Sequence, residues 1–389
     1  MDTLDTLLPR LHRHPWMDEQ IDQFRIQVRR YIGAELAPRL DGWRRQGYIP
    51  RGVWQPFGAL GFLLPELAEE WGGAGASLAY QLVVQDELAR AEMPANTAVH
   101  TIAAHYILAY GSEAQRRRWL PRLASGELLA GIAMTEPGCG SDLKSMRTRA
   151  RREGGHYVID GAKTFITNGY TANLLVLALR TGEAGSRGVS LIVLETEDLP
   201  GFTVGRRLEK LGQHASDTAE LSFEGVRVPV DHLLGGEEGQ GFRQLMGQLP
   251  YERMLLAVPA AATIERALAL TVDYTTQRQA FGQSVAAFQN TRFKLAECAT
   301  LAHVVRSFVN DCVQRLLDGT LDDEAAYMAK WWTTEQQCKV VDECLQLFGG
   351  YGYMAEYPIA RLYADSRVQK IYGGTNEIMK DLIARRLLA

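Results

Sequence analysis

Residues 156–167 read His-Tyr-Val-Ile-Asp-Gly-Ala-Lys-Thr-Phe-Ile-Thr. β-Branched and aromatic residues, which favour strands, stand on both sides of the Asp160-Gly161 pair, and Asp-Gly is a frequent hairpin turn. The stretch therefore predicts two short antiparallel strands joined at Asp160-Gly161. This prediction places β-structure in the middle of the chain, and that placement decides the fold class.

Further short strands are predicted after this stretch. Residues 174–179 and 189–194 are short apolar runs, and residues 219–228 alternate polar and apolar side chains. Several short strands at this spacing are typical of a small β-barrel or sandwich. We therefore expect a compact β domain at the centre of the chain.

Helical patterns fill the chain on both sides of the β region. Residues 18–40 carry apolar side chains three or four positions apart, and residues 77–110 are rich in alanine with a break expected near Pro94. After the β region, helices are predicted over 252–279, 289–317, 322–348 and 376–388. The sequence thus predicts an α+β protein with a helical domain over 1–127, a β domain over 128–237 and a second helical domain over 238–389.

The composition narrows the classes of function. Of 389 residues, 42 are basic and 46 are acidic, which leaves a net charge of −4. Nucleic-acid-binding domains usually show a basic excess, so a nucleic-acid partner is not expected. No apolar run looks long enough for a membrane span, and the first residues lack the apolar core of a secretory signal. We expect a cytoplasmic protein, or a protein of the mitochondrial matrix if the chain is a processed eukaryotic one.

The cysteines and histidines predict neither disulfides nor a metal site. The chain has five cysteines, which is an odd number, and no Cys-x-x-Cys pair. The eight histidines are scattered and do not form a His-Glu-x-x-His motif. We therefore expect no metal in the protein.

Three polar, glycine-rich segments are candidates for chemistry. In residues 135–142, Thr-Glu-Pro-Gly-Cys-Gly-Ser-Asp, the glycines permit exposed backbone N–H groups, although a plain turn fits this composition equally well. Residues 346–365 include a Gly-Gly pair that ends a predicted helix. Residues 371–378, Ile-Tyr-Gly-Gly-Thr-Asn-Glu-Ile, precede a helix that Thr375 or Asn376 could cap. A helix N-terminus suits a phosphate or a polarised carbonyl.

Together these three segments resemble the acyl-CoA dehydrogenase family of flavoproteins. Segments 163–169 and 277–282 also resemble family motifs, and the resemblance extends from about residue 18 to residue 389. It implies an N-terminal helical domain, a central β-barrel and a C-terminal four-helix bundle, with FAD between barrel and bundle. It also implies α,β-dehydrogenation of an acyl-CoA to the trans-2-enoyl-CoA, in which a carboxylate takes the α-proton and flavin N5 takes the β-hydride.

The resemblance assigns binding roles to residues of this sequence. The FAD contacts it implies are Met134, Thr135, Gly140, Ser141, Phe165, Ile166, Thr167, Arg278, Phe281, Gln289, Gln346, Leu347, Gly349, Gly350, Tyr372, Thr375, Asn376 and Glu377. The acyl-CoA contacts it implies are Ser141, Arg253, Gly373 and Gly374. Among them, Arg278 suits the pyrophosphate, because a guanidinium is permanently charged and presents forked donors.

The catalytic base is the main departure from the common family pattern. Many members carry it where this chain has Gly373, whereas the long-chain and isovaleryl types carry it on a bundle helix, at the position of Glu252. Read without the resemblance, Glu252 is more simply an acidic residue in the first turn of a helix that starts at Pro250. With it, Glu252 is the base and Glu377 the rival carboxylate. Arg253 is expected to face away, because a paired guanidinium would lower the pKa of the base.

The resemblance also implies partners, and it leaves alternatives. Reduced flavin would pass electrons to an electron-transferring flavoprotein, and the protein would be a homotetramer. One alternative is the same chemistry on an acyl group held by a carrier protein. Another is a flavin monooxygenase on this fold, which needs no α-proton base. A third is a non-catalytic acyl-CoA-binding or protein-interaction module, which needs neither Glu252 nor an intact flavin loop.

Overall fold

The computed structural model describes residues 14–183 and 185–388, so the two outer limits predicted for the domains, residues 1 and 389, lie outside the described residues. The N-terminal part is helical. Asp18 caps its first helix by accepting a hydrogen bond from the backbone N of Ile21 at 2.8 Å, and the break predicted near Pro94 is confirmed. The helices are α1 (Glu19–Tyr31), α2 (Leu40–Gln46), α3 (Trp54–Ala59), α4 (Leu78–Arg90), α5 (Asn96–Tyr110) and α6 (Glu113–Ala124).

The central part is a seven-stranded sheet. Its strands are β1 (Ala130–Ala133), β2 (Arg149–Glu153), β3 (His156–Thr167), β4 (Leu174–Arg180), β5 (Val189–Glu195), β6 (Phe202–Arg207) and β7 (Thr218–Pro229). The strand order is β1-β4-β2-β3-β7-β6, with β5 added beside β4. β1 and β6 stand at the two ends of this order, and within the described residues they do not pair with each other. The predicted barrel therefore takes the form of a curled sheet.

The hairpin predicted at Asp160-Gly161 is wrong. β3 runs straight through this pair, and the turn before it lies at Gly154-Gly155, between β2 and β3. Gly161 instead allows a close approach, because a β-carbon there would lie 2.6 Å from Thr148 Oγ1. The register of β3 against β7 also shifts at this point, which is the usual role of a glycine inside a strand.

The C-terminal part is again helical, so the predicted order of helices, sheet and helices is confirmed. Its helices are α7 (Gly241–Gln277), α8 (Gln289–Leu317), α9 (Asp323–Leu347), α10 (Pro358–Ser366) and α11 (Asn376–Leu387). A short hairpin of β8 (Gln279–Ala280) and β9 (Gln283–Ser284) joins α7 to α8. Since α9 packs against α7, α8 and α11, these four helices form the C-terminal bundle.

One expectation about α7 is wrong, and one property of this helix was not expected. The helix begins at Gly241 and contains Pro250 and Pro259, so Glu252 does not lie in a first helical turn. In addition, α7 is 37 residues long and apolar enough to cross a membrane by length and composition, although the sequence pattern suggested no such segment. Packing explains its apolar character, because 78% of its most apolar window is buried inside the protein.

A buried ionic network joins α4, α7 and α8, and the sequence patterns did not predict it. Arg306 of α8 donates to Glu265 of α7 at 2.6 Å and to Asp86 of α4 at 2.9 Å. Arg90 of α4 donates to the same two carboxylates. The four side chains are almost fully buried, and two guanidinium groups balance two carboxylates. The network therefore ties an N-terminal helix to the bundle.

Candidate active site

Glu252 is a buried carboxylate on α7, with 7% of its surface exposed. The phenol of Tyr106, on α5, donates a hydrogen bond to Glu252 Oε1 at 2.5 Å. Burial raises the pKa of Glu252 to about 7, while the hydrogen bond from Tyr106 and the charge of Arg253 act in the opposite direction. A carboxylate with a pKa near neutrality is suited to act as a general base.

Arg253, the next residue on α7, is turned toward α9. Its guanidinium lies over the ring of Tyr327, with Cζ 4.3 Å from the ring centroid. Within the described residues, no hydrogen bond joins it to Glu252, and burial lowers the pKa of Arg253. Glu252 is therefore not neutralised by a direct ion pair. The contact of Arg253 with the substrate stays a prediction.

Gly373 lies against the helix turn that follows Glu252. Its φ is +63°, a left-handed conformation that favours glycine. A β-carbon at Gly373 would lie only 2.3 Å from Cδ1 of Leu256, which is one turn beyond Glu252 on α7. The fold thus brings together the two places where the family resemblance allows the base, and it leaves no room for a side chain at Gly373 unless Leu256 moves.

Lys330, on α9, stabilises the segment around Gly373 by hydrogen bonds. The sequence analysis did not identify this residue. Lys330 Nζ donates to the carbonyl of Gly374 at 2.6 Å and to Asn376 Oδ1 at 3.0 Å. Burial, assisted by the charge of Arg253, lowers the pKa of Lys330 to about 8. A single lysine within a helix has no sequence pattern that would have predicted this role.

The predicted FAD contacts in this segment occupy different environments. Thr375 is the cap of α11, since its hydroxyl accepts from the backbone N of Ile378 at 3.3 Å. Asn376 is fully buried and bonded to Lys330 and Thr334, so its side chain supports the segment from inside. Glu377 is exposed. The hydroxyl of Tyr372 is buried.

The loop with Met134, Thr135, Gly140 and Ser141 is tied to β3 by a buried ion pair. Lys163 Nζ, on β3, donates to Glu136 Oε1 and to the carbonyl of Met134, both at 2.9 Å. Glu136 also accepts from the backbone N of Thr148 at 2.9 Å. Glu136 therefore orders the loop from inside, and Ser141 and Gly140 remain exposed.

The end of β3 presents an aromatic ring to solvent. Phe165 is 67% exposed and has a φ of +58°, whereas Ile166 belongs to the core of the sheet and is 2% exposed. Thr167 is half-buried. Hence only the backbone of Ile166 can reach a ligand, while the ring of Phe165 is available to cover a planar group such as a flavin.

A second group of predicted FAD contacts gathers where α7 and α9 end. Arg278, Leu347, Gly349 and Gly350 line a cleft of about 460 Å³, in which the Arg278 guanidinium lies 5.5 Å from the ring centroid of Tyr351. A β-carbon at either glycine would meet no atom of the described residues within 4 Å, so the backbone is open to a ligand. This charged and open cleft fits a pyrophosphate-bearing cofactor such as FAD.

The remaining predicted contacts lie at the ends of the bundle helices. Phe281, at the β8–β9 turn, is 96% exposed. Gln289 and Gln346, at the first turn of α8 and the last turn of α9, are exposed as well. In the part of the chain that the structure describes, no hydrogen bond, ion pair or ring contact joins the cleft to Phe165 or to the loop at Met134. The structure thus divides the predicted FAD contacts into separate groups.

Family models for three consecutive domains match the chain. The models described as the N-terminal, middle and C-terminal domains of acyl-CoA dehydrogenase match residues 18–127, 131–226 and 239–388. They agree in order with the helices, the sheet and the bundle.

Individual proteins are similar over almost the whole chain. The long-chain specific acyl-CoA dehydrogenase, mitochondrial, of Mus musculus is 44% identical over 373 residues, 95% of this chain and 86% of that protein. A crystal structure of acyl-CoA dehydrogenase from Geobacillus kaustophilus matches with a TM-score of 0.94 and 44% identity, over 96% of this chain and 100% of that chain. A glutaryl-CoA dehydrogenase from Mycobacterium smegmatis in complex with FADH2 matches with a TM-score of 0.90 and 27% identity, over 100% of this chain and 98% of that chain.

Proposed function

The chain belongs to the acyl-CoA dehydrogenase family of FAD-dependent oxidoreductases, and on this basis we propose that it converts an acyl-CoA thioester to the trans-2-enoyl-CoA with Glu252 as the base. The observation that carries this proposal is that a carboxylate, Glu252, occupies one of the two base positions known in the family, while Gly373 occupies the other. A carboxylate with a pKa of about 7 lies on α7, and the position where other members carry the base holds a glycine beside the same helix.

Each residue of the site has a distinct part in this proposal. Glu252 removes the α-proton of the thioester, and burial makes its carboxylate basic enough to do so near neutral pH. The backbone N–H of Gly373 polarises the thioester carbonyl, which increases the acidity of the α-carbon. When bound, FAD supplies the acceptor for the β-hydride. Arg278 and the open backbone of Gly349 and Gly350 would hold the cofactor, and Phe165 would cover its ring.

The substrate is proposed to be a CoA thioester of an acyl chain, as for enzymes of fatty acid metabolism. An anaerobic panel separates this proposal from its rivals: acyl-CoA thioesters of different length and the same acyl groups on a carrier protein are mixed with the purified holoenzyme. Loss of the oxidised-flavin absorbance with the CoA thioesters supports the proposal. Loss with the carrier-bound acyl groups alone contradicts it. No loss with any thioester, together with a product that forms only in a parallel incubation of the reduced enzyme with oxygen, points to a monooxygenase.

We further propose that the electrons pass to an electron-transferring flavoprotein and that the protein is a homotetramer of the cytoplasm or the mitochondrial matrix. Exposed apolar side chains on the C-terminal part support assembly, among them Phe281 at 96% and Tyr353 at 85% exposure. Light scattering of the holoenzyme measures the mass, and a monomer in solution would contradict the tetramer.

The reaction is expected to become faster as the pH rises through about 7. Glu252 must be deprotonated to accept the α-proton, and burial raises its pKa to about 7. The pH profile of kcat/KM reports the ionisation of the free enzyme, so an ascending limb centred near this pH is expected. A profile that does not change across neutral pH would show that Glu252 does not control the reaction.

Replacing Arg278 by alanine is expected to weaken FAD retention. The change removes a charged donor from the cleft with the open glycine backbone, and a hydrogen bond to a charged group contributes about 1.5–3 kcal/mol, or roughly a 10- to 100-fold change in affinity. The measurement is the ratio of FAD to protein after gel filtration. The control is Arg45→Ala, which removes an exposed arginine of α2. Equal FAD content in both variants would refute the assignment.

A further inference from the structure

Two consecutive residues of α5 meet two consecutive residues of α7. Tyr106 donates to Glu252 Oε1 at 2.5 Å across 146 positions of sequence. One position earlier on each helix, the ring of His105 stacks on the ring of Tyr251, with centroids 4.2 Å apart and planes 21° apart. We call these four residues the α5–α7 clasp. It places the base of a bundle helix in contact with the N-terminal helical domain.

The clasp is anchored at its far end. His105 Nε2 lies 2.7 Å from Glu66 Oε1, and the carboxylate of Glu66 is itself 6% exposed. A ring that is stacked on one side and hydrogen-bonded at its edge resists rotation. The backbone of α5 is therefore held in register with α7, and the phenol of the next residue, Tyr106, is directed at Glu252.

Tyr106 is the donor in its hydrogen bond. Burial and the neighbouring carboxylate raise the pKa of Tyr106 well above its usual value, so the phenol keeps its proton. Within the described residues, no other hydrogen bond reaches the carboxylate of Glu252. One oxygen, Oε1, is thus occupied, and Oε2 is left for another partner.

We propose that Tyr106 is a positioning residue for the base: its phenol fixes Oε1 of Glu252 so that Oε2 is the oxygen presented to the α-proton. The inference rests on the proposed role of Glu252. A glutamate side chain has three rotatable bonds and many staggered conformers. A single fixed orientation keeps the carboxylate near the geometry of proton transfer, and loss of that orientation slows the step even when the base is ionised.

Besides Tyr106, the charge of Arg253 on the same helix acts on the pKa of Glu252, and the test must separate the two. Other titratable groups surround these residues: Tyr251 is stacked on His105 and close to the charge of Glu66, Tyr327 lies under Arg253, and the charge of Arg253 also acts on Lys330. A variant that removes only the phenol oxygen of Tyr106 leaves every one of these groups in place.

The test is Tyr106→Phe in the holoenzyme. Because the phenol favours the ionised carboxylate, its removal is expected to move the midpoint of the kcat/KM profile to higher pH, by about one unit. The limiting rate of flavin reduction is expected to fall by about tenfold or more at a pH where the base is ionised. FAD content should be unchanged, because Tyr106 is not among the predicted FAD contacts.

The matched control is Tyr110→Phe. Tyr110 lies one turn later on α5, and its phenol is 3.5 Å from Gln248 Nε2 rather than at the carboxylate. This variant should keep the wild-type midpoint and rate. If Tyr106→Phe also keeps both, the positioning role is wrong. If Glu252→Gln retains full activity, the base itself is misassigned, so the failure of the inference and the failure of the proposed function are distinguishable.

A measurement on the wild-type protein covers the case in which Tyr106→Phe does not fold. The difference between infrared spectra recorded below and above neutral pH contains the carbonyl stretch of protonated Glu252, identified by its absence in Glu252→Gln. A frequency typical of a hydrogen-bonded carboxylic acid supports the contact with Tyr106. A frequency typical of a free carboxylic acid would overturn the inference.

Discussion

The variant Glu252→Gln is expected to reduce its flavin at least ~10²–10⁴-fold more slowly than the wild type. Glutamine keeps the shape of the side chain, and its carbonyl oxygen can still accept the hydrogen bond from Tyr106, but it cannot take a proton from the α-carbon. FAD content and ligand binding should be nearly unchanged. The measurement is the anaerobic loss of oxidised-flavin absorbance after mixing with a saturating acyl-CoA.

Glu377→Gln is the matched control for this loss. Glu377 is exposed and lies in the first turn of α11, and it is the rival carboxylate on sequence grounds. Its removal should leave proton abstraction intact, and the rate is compared per bound FAD because Glu377 is also a predicted FAD contact. If Glu252→Gln reacts at the wild-type rate while Glu377→Gln does not, the base is Glu377 and the assignment on α7 is wrong.

A second base position can be tested in the Glu252→Gln background. Adding Gly373→Glu returns a carboxylate to the place where many family members carry it, so some flavin reduction should return. The restoration should be partial, because the left-handed φ of +63° strains any residue but glycine and Leu256 Cδ1 occupies the space of the new β-carbon. Adding Leu256→Ala should increase the restored rate by making room.

Arg306→Met is expected to lower the free energy of unfolding by about 3–5 kcal/mol. Methionine fills much of the volume of the side chain, but it leaves Glu265 and Asp86 with the single guanidinium of Arg90 between them. An uncompensated carboxylate buried between α4, α7 and α8 is costly, because few water molecules can reach it. Urea unfolding of the holoenzyme, followed by circular dichroism, measures the change.

Arg315→Met is the matched control on the same helix. Arg315 pairs with Asp322 at 2.6 Å, but this pair is partly exposed, and such pairs contribute only about 0–1 kcal/mol. Arg306→Met combined with Glu265→Met should be less destabilised than the sum of the single changes, because the second change restores the balance of charge. Equal losses in the two single arginine variants would contradict the importance of the buried network.

Local patterns in the sequence were enough for the fold class, whereas the candidate chemistry depended on the resemblance to a known family. Backbone preferences of individual residues determine the helix ends near Pro94 and Gly349. They also determine the short strands after residue 170. The joint occurrence of Gly373 and Glu252 indicated where a base could stand, and the comparisons confirm the family and FAD as its cofactor. The roles of the individual site residues stay predictions.

The tertiary structure decided the features that depend on distant neighbours. The Asp160-Gly161 pair has the local signal of a turn, but pairing of β3 with β2 and β7 keeps it extended. Pro250 has the local signal of a helix start, but packing of α7 continues the helix through it. Tyr106, Lys163, Lys330 and the Arg306 network carry no local signal, since their partners lie far away in sequence. A buried polar group must find its partner in the packed interior, and only the complete fold determines which one it meets.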